Sequence, residues 1–323
     1  MIPIIAPVSK ELLKQELNEK TFLRKTNKAD NEIYVVTAKN SPNVMREIAR
    51  LREISFRAVG GGSGNELDID EFDTMEYSYH QLIVWNPEEE EIIGGYRFLH
   101  GKDVTFNSET GDPNMPINHI FRLSENFIKN ELPYTLEMGR AFVQPKYQSV
   151  QGGKKSLFAL DNLWDGIGAV IANIPNVKYM IGKVSIYSTT EIRSRKAMIY
   201  FLQYHFGDKN NLLIPRDPQI IPEEDKQWLN EIVTGEGYKE DFKRLNKFVR
   251  DQGENIPPLI HAYIDLSSSL KTFGTVFDPD FGDIYDTGMM ITIADIYDAK
   301  RDRYIQTYLN NKPATTCTVL YNK

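Results

Sequence analysis

Apolar positions recurring at helical spacing, and short apolar runs between turn residues, divide this chain into elements. The clearest helix is Lys155–Asn173, where Leu157, Leu160, Trp164, Ile167 and Ile171 fall at i, i+3, i+7, i+10 and i+14 and Pro175 ends the run. Ser9–Lys20 reads as a helix capped by Ser9, and Ser41–Arg57 as one capped by Ser41 with Pro42 at its first position. Glu191–Phe206 is a helix closed by Gly207, and Phe121–Lys129 a short one. Strands are predicted at Ile33–Ala38, at Gln81–Trp85 and Glu91–Leu99 around an Asn-Pro turn, and at Lys178–Ile186. Beyond Pro257-Pro258, Leu259–Leu266, Gly288–Ile293 and Ala294–Leu309 read as strand, strand, helix. The charge-rich stretch 215–255, punctuated by Pro222 and Gly235–Gly237, is expected to be a helical insertion outside the core. This order predicts an α/β (α+β) fold: a mixed sheet with helices on both faces.

Composition narrows the partners. The 323 residues are 41% hydrophobic and 26% charged, ordinary for a globular protein. Net charge is -7, from 38 basic and 45 acidic residues, so nucleic acid is not an expected partner. Cys317 stands alone, which excludes an internal disulfide and a thiolate zinc cluster. The five histidines, His80, His100, His119, His205 and His261, show no metal-ligand spacing, so no metal is expected. No signal peptide and no membrane-spanning run is read. A cytoplasmic location is expected, with peripheral contact to the inner membrane left open.

Chemistry concentrates at Tyr134–Gly153, YTLEMGRAFVQPKYQSVQGG. It starts as a strand, carries Glu137 and Arg140 inside it, stops at Pro145, and continues as a loop with Gly152-Gly153 and then Lys154-Lys155. Charges inside a buried strand are costly unless paired and employed. Two readings stand: a structural ion pair, or Glu137 as a general base beside an anion-binding loop. The odd spacing of Glu137 and Arg140 puts them on opposite faces of an ideal strand, and a bulge would bring them together. Gly60–Gly64 (GGGSG), followed by DIDEFD, reads as a lid over residues 60–73. Asp70 and Asp73 are either a solvated acidic turn or partners of Arg97 and Arg140. Arg52, Arg57 and Arg97 are candidates to hold a carboxylate, although Arg52 could equally be a surface helix residue. Lys146, Lys154 and Lys155 are either solvated or contacts for a phosphate. Trp164 and Phe158 read as core.

Taken as a spaced set, Arg52 with Phe56, the D-x-x-D of Asp70 and Asp73, Arg97, and the E-x-x-R of Glu137 and Arg140 are familiar. Residues from Arg52 to about Leu202 resemble the acyl-carrier-protein-dependent branch of the GNAT acyltransferase superfamily. LDNLWDGIG and the later IPPLIHAYIDL…DPDFGDIYDTG are similar to the hemolysin-like N-acyltransferases of amino-lipid synthesis more than to the autoinducer synthases. The resemblance implies one GNAT-like domain over 1–323, with a mostly antiparallel central sheet, a core at about 33–207 and 256–310, and the insertion at about 215–255. It implies transfer of a fatty or 3-hydroxy fatty acyl chain from acyl carrier protein to the α-amine of a small amino acid, with no permanently bound cofactor. The catalytic set would be Glu137, Arg140, Arg97, Asp70 and Asp73. The substrate-binding set would be Arg52, Phe56, Phe142, Gln148, Gly152, Gly153, Lys154 and Lys155. The Q-x-x-G-x-G/A run of coenzyme A-dependent acetyltransferases is present only in degenerate form, at Gln148 and Gly152-Gly153, which favours acyl carrier protein over acyl-coenzyme A. The alternatives are an acyl-homoserine lactone synthase using S-adenosylmethionine, for which no adenine-binding signature is seen, and an inactive binding module.

Overall fold

The computed structural model describes residues 1–148, 153–313 and 317–320. The chain folds into two compact units, the first formed by residues 1–106, 136–177 and 297–323 and the second by 107–135 and 178–296.

In the first unit, β1 (Phe22–Lys25), β2 (Glu32–Val36), β3 (His80–Asn86), β4 (Glu91–His100) and β6 (Thr135–Val143) pair in that order, and every pairing is antiparallel. Ile33, Val35, Leu82, Val84, Ile92 and Leu136 are buried on this sheet. Its helices are α1 (Lys10–Glu16), α2 (Pro42–Arg57), α3 (Glu71–Thr74), α5 (Gly153–Leu157), α6 (Ala159–Asn173), α11 (Asp298–Arg301) and α12 (Thr307–Asn310). Gly166 lets α6 lie close to the sheet: a Cβ there would come within 2.8 Å of Leu82.

The second unit pairs β7 (Tyr179–Tyr187), β10 (Ile284–Thr292) and β9 (Lys271–Asp278), again antiparallel. A separate two-stranded ladder joins β5 (Phe121–Leu123) to β8 (Leu213–Pro215). Helices α4 (Glu125–Asn130), α7 (Ile192–Phe206), α8 (Glu223–Ile232), α9 (Tyr238–Asp251) and α10 (Pro258–Ile264) belong here. The helical stretch expected at 215–255 is α8 and α9, and Phe242 of α9 packs 5.5 Å from Phe201 of α7. Among the described residues no helix is long and apolar enough to cross a membrane.

Five local readings are corrected. The helix expected over Lys155–Asn173 breaks at Phe158. Of the expected stripe Trp164 and Ile167 are buried, Leu160 and Ile171 half-buried and Leu157 68% exposed, and Ala159, Leu163, Gly166 and Val170 are buried beside them. Phe121–Leu123 is a strand because its partner lies some ninety residues away on β8, a pairing no local pattern reveals. Leu259–Leu266 is mostly helix, because Pro258 occupies its first turn and Ile260, Tyr263 and Ile264 are buried at i, i+3 and i+4. Ser41 precedes α2 without a side-chain capping bond, whereas Ser9 does accept from the Leu12 amide. Gly207 follows α7 at φ -54°, so the glycine is not there for a left-handed turn; a Cβ would sit 2.5 Å from the Gln203 carbonyl oxygen.

Candidate active site

The register of the first sheet builds a polar face from β3, β4 and β6. Gln81 lies opposite Arg97, Arg97 opposite Gly139, and Leu99 opposite Glu137. Directly opposed residues, and residues two apart, share a face, so Gln81, Arg97, Glu137 and Gly139 do so. Leu136 and Met138 point the other way and are buried. Beyond Gly139 the register slips. Between the pairs Arg97–Gly139 and Gly95–Phe142, β4 has only Tyr96 while β6 has Arg140 and Ala141. This is the expected bulge, and Arg140 enters the left-handed region at φ 48°, an unfavourable conformation for a residue with a side chain.

The bulge aims Arg140 at aspartates. Its Nε lies 3.0 Å from Asp68 Oδ2 and its Nη2 3.4 Å from Asp70 Oδ2. Arg97 Nη1 donates to both oxygens of Asp70 at 2.7 Å and lies 3.4 Å from Asp73. Arg52 Nη1 donates to Asp73 at 3.0 Å, and its Nη2 to Gln81 Oε1 at 2.5 Å. The Gln81 amide nitrogen donates back to Asp73 at 2.9 Å. Three arginines thus meet three aspartates. Asp70 and Asp73 also close α3 as a reciprocal capping box. The solvated-turn reading is therefore excluded, and Arg52 is a fully buried residue, not a surface one.

Electrostatics separates the acids. Burial opposes ionisation of Asp73, but Arg52 and Arg97 outweigh it and hold the carboxyl at about 2. For Asp68 burial wins, and its pKa is raised despite Arg140. Burial likewise lowers Arg140, whereas Asp73 and Asp70 overcome burial at Arg97 and raise it.

Glu137 is buried on the same face and accepts a hydrogen bond from the Tyr79 hydroxyl. Tyr79 is itself fully buried, with its pKa raised far above the usual phenol range by burial and by Glu137, so it keeps its proton and remains the donor. Its ring stacks edge-on with Phe72 at 5.9 Å, and Arg97 lies 5.4 Å from the ring centroid. Tyr79, Gln81 and Asp68 are members that sequence reasoning missed. The signal for Gln81 was a polar residue opposite Arg97 in the hairpin; Tyr79 sits in a polar-looking stretch, YSYH, that offered none.

Phe56 and Phe142 are buried. The glycine loop 60–64 is more firmly tied than a lid held only by Asp70 and Asp73. Glu53, fully buried on α2, accepts from the Ser63 amide at 3.0 Å, its hydroxyl at 2.9 Å and the Gly64 amide at 2.8 Å. Arg57, expected to hold a carboxylate, donates instead to Glu53 at 2.6 Å and to the Ile2 carbonyl at 2.7 Å.

The loop after β6 is fastened to the β3–β4 hairpin. Lys146 pairs with Glu91 at 2.5 Å, and Lys155 with Glu88 at 2.9 Å and the Asn86 side-chain oxygen at 2.5 Å. The Gln148 side chain donates to the Val143 carbonyl at 2.6 Å. Gly153 has φ +70°, Lys154 is exposed, and Gly152 lies outside the described residues. The helix expected to open at about Lys155 and face an anion is the five-residue α5.

The acetyltransferase (GNAT) domain model matches residues 51–155, from within α2 to within α5. The chain is 52% identical over 313 residues, 97% of its length, to a glycine N(alpha)-acyltransferase of Bacteroides thetaiotaomicron and to one of Phocaeicola vulgatus, covering 92% and 95% of those proteins. No solved structure matches. With half its residues shared over nearly its whole length, the chain belongs to the family of these GNAT N-acyltransferases and is an acyltransferase.

Proposed function

We propose that this enzyme moves a fatty acyl chain from acyl carrier protein to the α-amine of glycine, giving an N-acylglycine as the first product of amino-lipid synthesis. The observation that carries the reading is Glu137: a buried carboxylate on the sheet face, held by a tyrosine that cannot take its place as a proton acceptor. The amine arrives protonated. Glu137 takes its proton, directly or through water, and the freed nitrogen attacks the thioester carbonyl. The C–N bond forms and the C–S bond breaks; the nitrogen, now part of an amide, gives up a second proton to the departing sulfur, which leaves as the thiol, and Glu137 releases the proton it took. Asp70, Asp73, Arg97 and Arg140 hold the geometry of the face. Glycine as acceptor is supported by the names of the relatives, which match almost end to end.

The carrier-protein donor is supported by the loop. Lys146 and Lys155 are already engaged by glutamates, and Lys154 is exposed beside them. A single pantetheine phosphate asks less of such a loop than the several phosphates of coenzyme A. Mass spectrometry of reactions containing glycine and matched acyl chains on either carrier tests the reading. N-acylglycine formed mainly from acyl carrier protein is expected. Equal turnover with acyl-coenzyme A would overturn the donor, and acylation of other amino acids but not glycine would overturn the acceptor. An acyl-homoserine lactone made from S-adenosylmethionine would replace the reading with an autoinducer-type synthase.

A further inference from the structure

Gly139 has a glycine where neither backbone nor packing demands one. Its φ is outside the left-handed region. A Cβ built on it would lie 3.6 Å from Arg97 Nε and 3.7 Å from Arg97 Cγ, ordinary van der Waals distances. The fold therefore has room for a methyl group at this position. What lies under the notch is unusual. Arg97 is 2% exposed, yet its Nε makes no hydrogen bond to a described residue, although its Nη1 grips Asp70. A buried, charged N–H without an acceptor is costly and calls for an explanation. Gly139 itself is partly exposed beside the bulge, while Arg97 Nε beneath it is buried. Glu137 stands two residues along the same face, about 6.7 Å away at strand spacing.

We propose that the notch over Gly139 seats the carboxylate of the acceptor amino acid. Arg97 Nε–H donates to one carboxylate oxygen, and the α-amine is directed toward Glu137. The absent side chain at 139 makes the space, the short distance between the two groups suits an amine and a carboxylate on one carbon, and the confined notch favours an acceptor without a side chain. Gly139 is then a specificity-determining residue and Arg97 a binding residue acting through one particular nitrogen. This rests on the acceptor reading above, so its test does not depend on turnover.

The experiment is an NMR titration of the donor-free protein with carbon-13-labelled glycine, repeated with glycinamide, which lacks the carboxylate. Gly139→Ala and Gly139→Ser are titrated alongside, with thermal unfolding to verify the fold. Saturable glycine binding is expected, weakened at least tenfold in either variant and at least tenfold for glycinamide, with unfolding temperatures unchanged. In turnover the variants raise the glycine KM and leave the donor KM alone. Equal binding of glycine by folded Gly139→Ala, equal binding of glycinamide, or no glycine binding by the natural protein would each overturn the proposal. Glycine binding without any transfer would leave the notch standing and overturn the acyl-transfer reading instead.

Discussion

Two sets of ion pairs in the first unit invite comparison. Arg52–Asp73 is 0% exposed on both sides, and Arg97 is 2% exposed against Asp70 and Asp73. Lys146–Glu91 is 52% and 27% exposed, and Lys155–Glu88 is 16% and 74% exposed. Their formal charges are the same, but their surroundings differ. In the dry cluster each charge has paid its desolvation and depends on its partner, so removing one leaves another stranded. At the wet loop, water and salt replace whatever is lost. The cluster therefore fixes a shape, and the loop can exchange one anionic partner for another.

The largest expected effect breaks the cluster. Asp73→Ala leaves Arg52 buried against Gln81 and should cost about 3–5 kcal/mol, seen as a lower urea midpoint. A loss under about 1 kcal/mol would place this cluster with the loop in kind. Next is Tyr79→Phe, which removes a hydrogen bond to a charged acceptor. Such bonds contribute roughly 1.5–3 kcal/mol, so kcat should fall about ten- to a hundredfold while unfolding shifts by less than in Asp73→Ala.

Acid sharpens the comparison further. The Asp73 pKa is depressed from 3.8 to about 2, so its contribution to stability is present above pH 4 and is lost as pH falls from there through about 2. Asp68 is raised by burial and has the opposite sign: protonating it favours the folded state. Unfolding free energy should therefore drop steeply only below about pH 4, and Asp73→Asn should flatten that drop. The smallest effect belongs to the loop. Lys146→Ala should change stability by about 0–1 kcal/mol while weakening carrier-protein association and its salt dependence. Unfolding comparable to that of Asp73→Ala would make the lysine structural.

The same contrast explains what could be read beforehand. The set Arg52, Asp70, Asp73, Arg97 and Arg140 was marked by its resemblance to GNAT acyltransferases, while the residues alone left Asp70 and Asp73 as a solvated turn or partners of Arg97 and Arg140, and Arg52 as a surface or a binding residue. The bulge at Arg140 was legible from the odd spacing to Glu137, and the β3–β4 hairpin from its Asn-Pro turn. What escaped depends on distant chain. β5 finds its partner on β8, and β1, with the sequence FLRK, is too short and charged to stand out. Tyr79 meets Glu137 across 58 residues, and no spacing rule connects them. The pairing of Lys155 with Glu88 was hidden for the same reason, so the loop read as more cationic than it is.

The central claim is that Glu137 accepts the proton of the acceptor amine, and the kcat of Glu137→Gln tests it most directly. Glutamine keeps the shape and can still accept from Tyr79, so the fold and donor binding should persist. Loss of a general base typically costs about 100- to 10,000-fold. Glu137→Gln is expected to fold, to bind acyl carrier protein normally and to be reduced in kcat within that range. A folded Glu137→Gln enzyme turning over at the natural rate would contradict it.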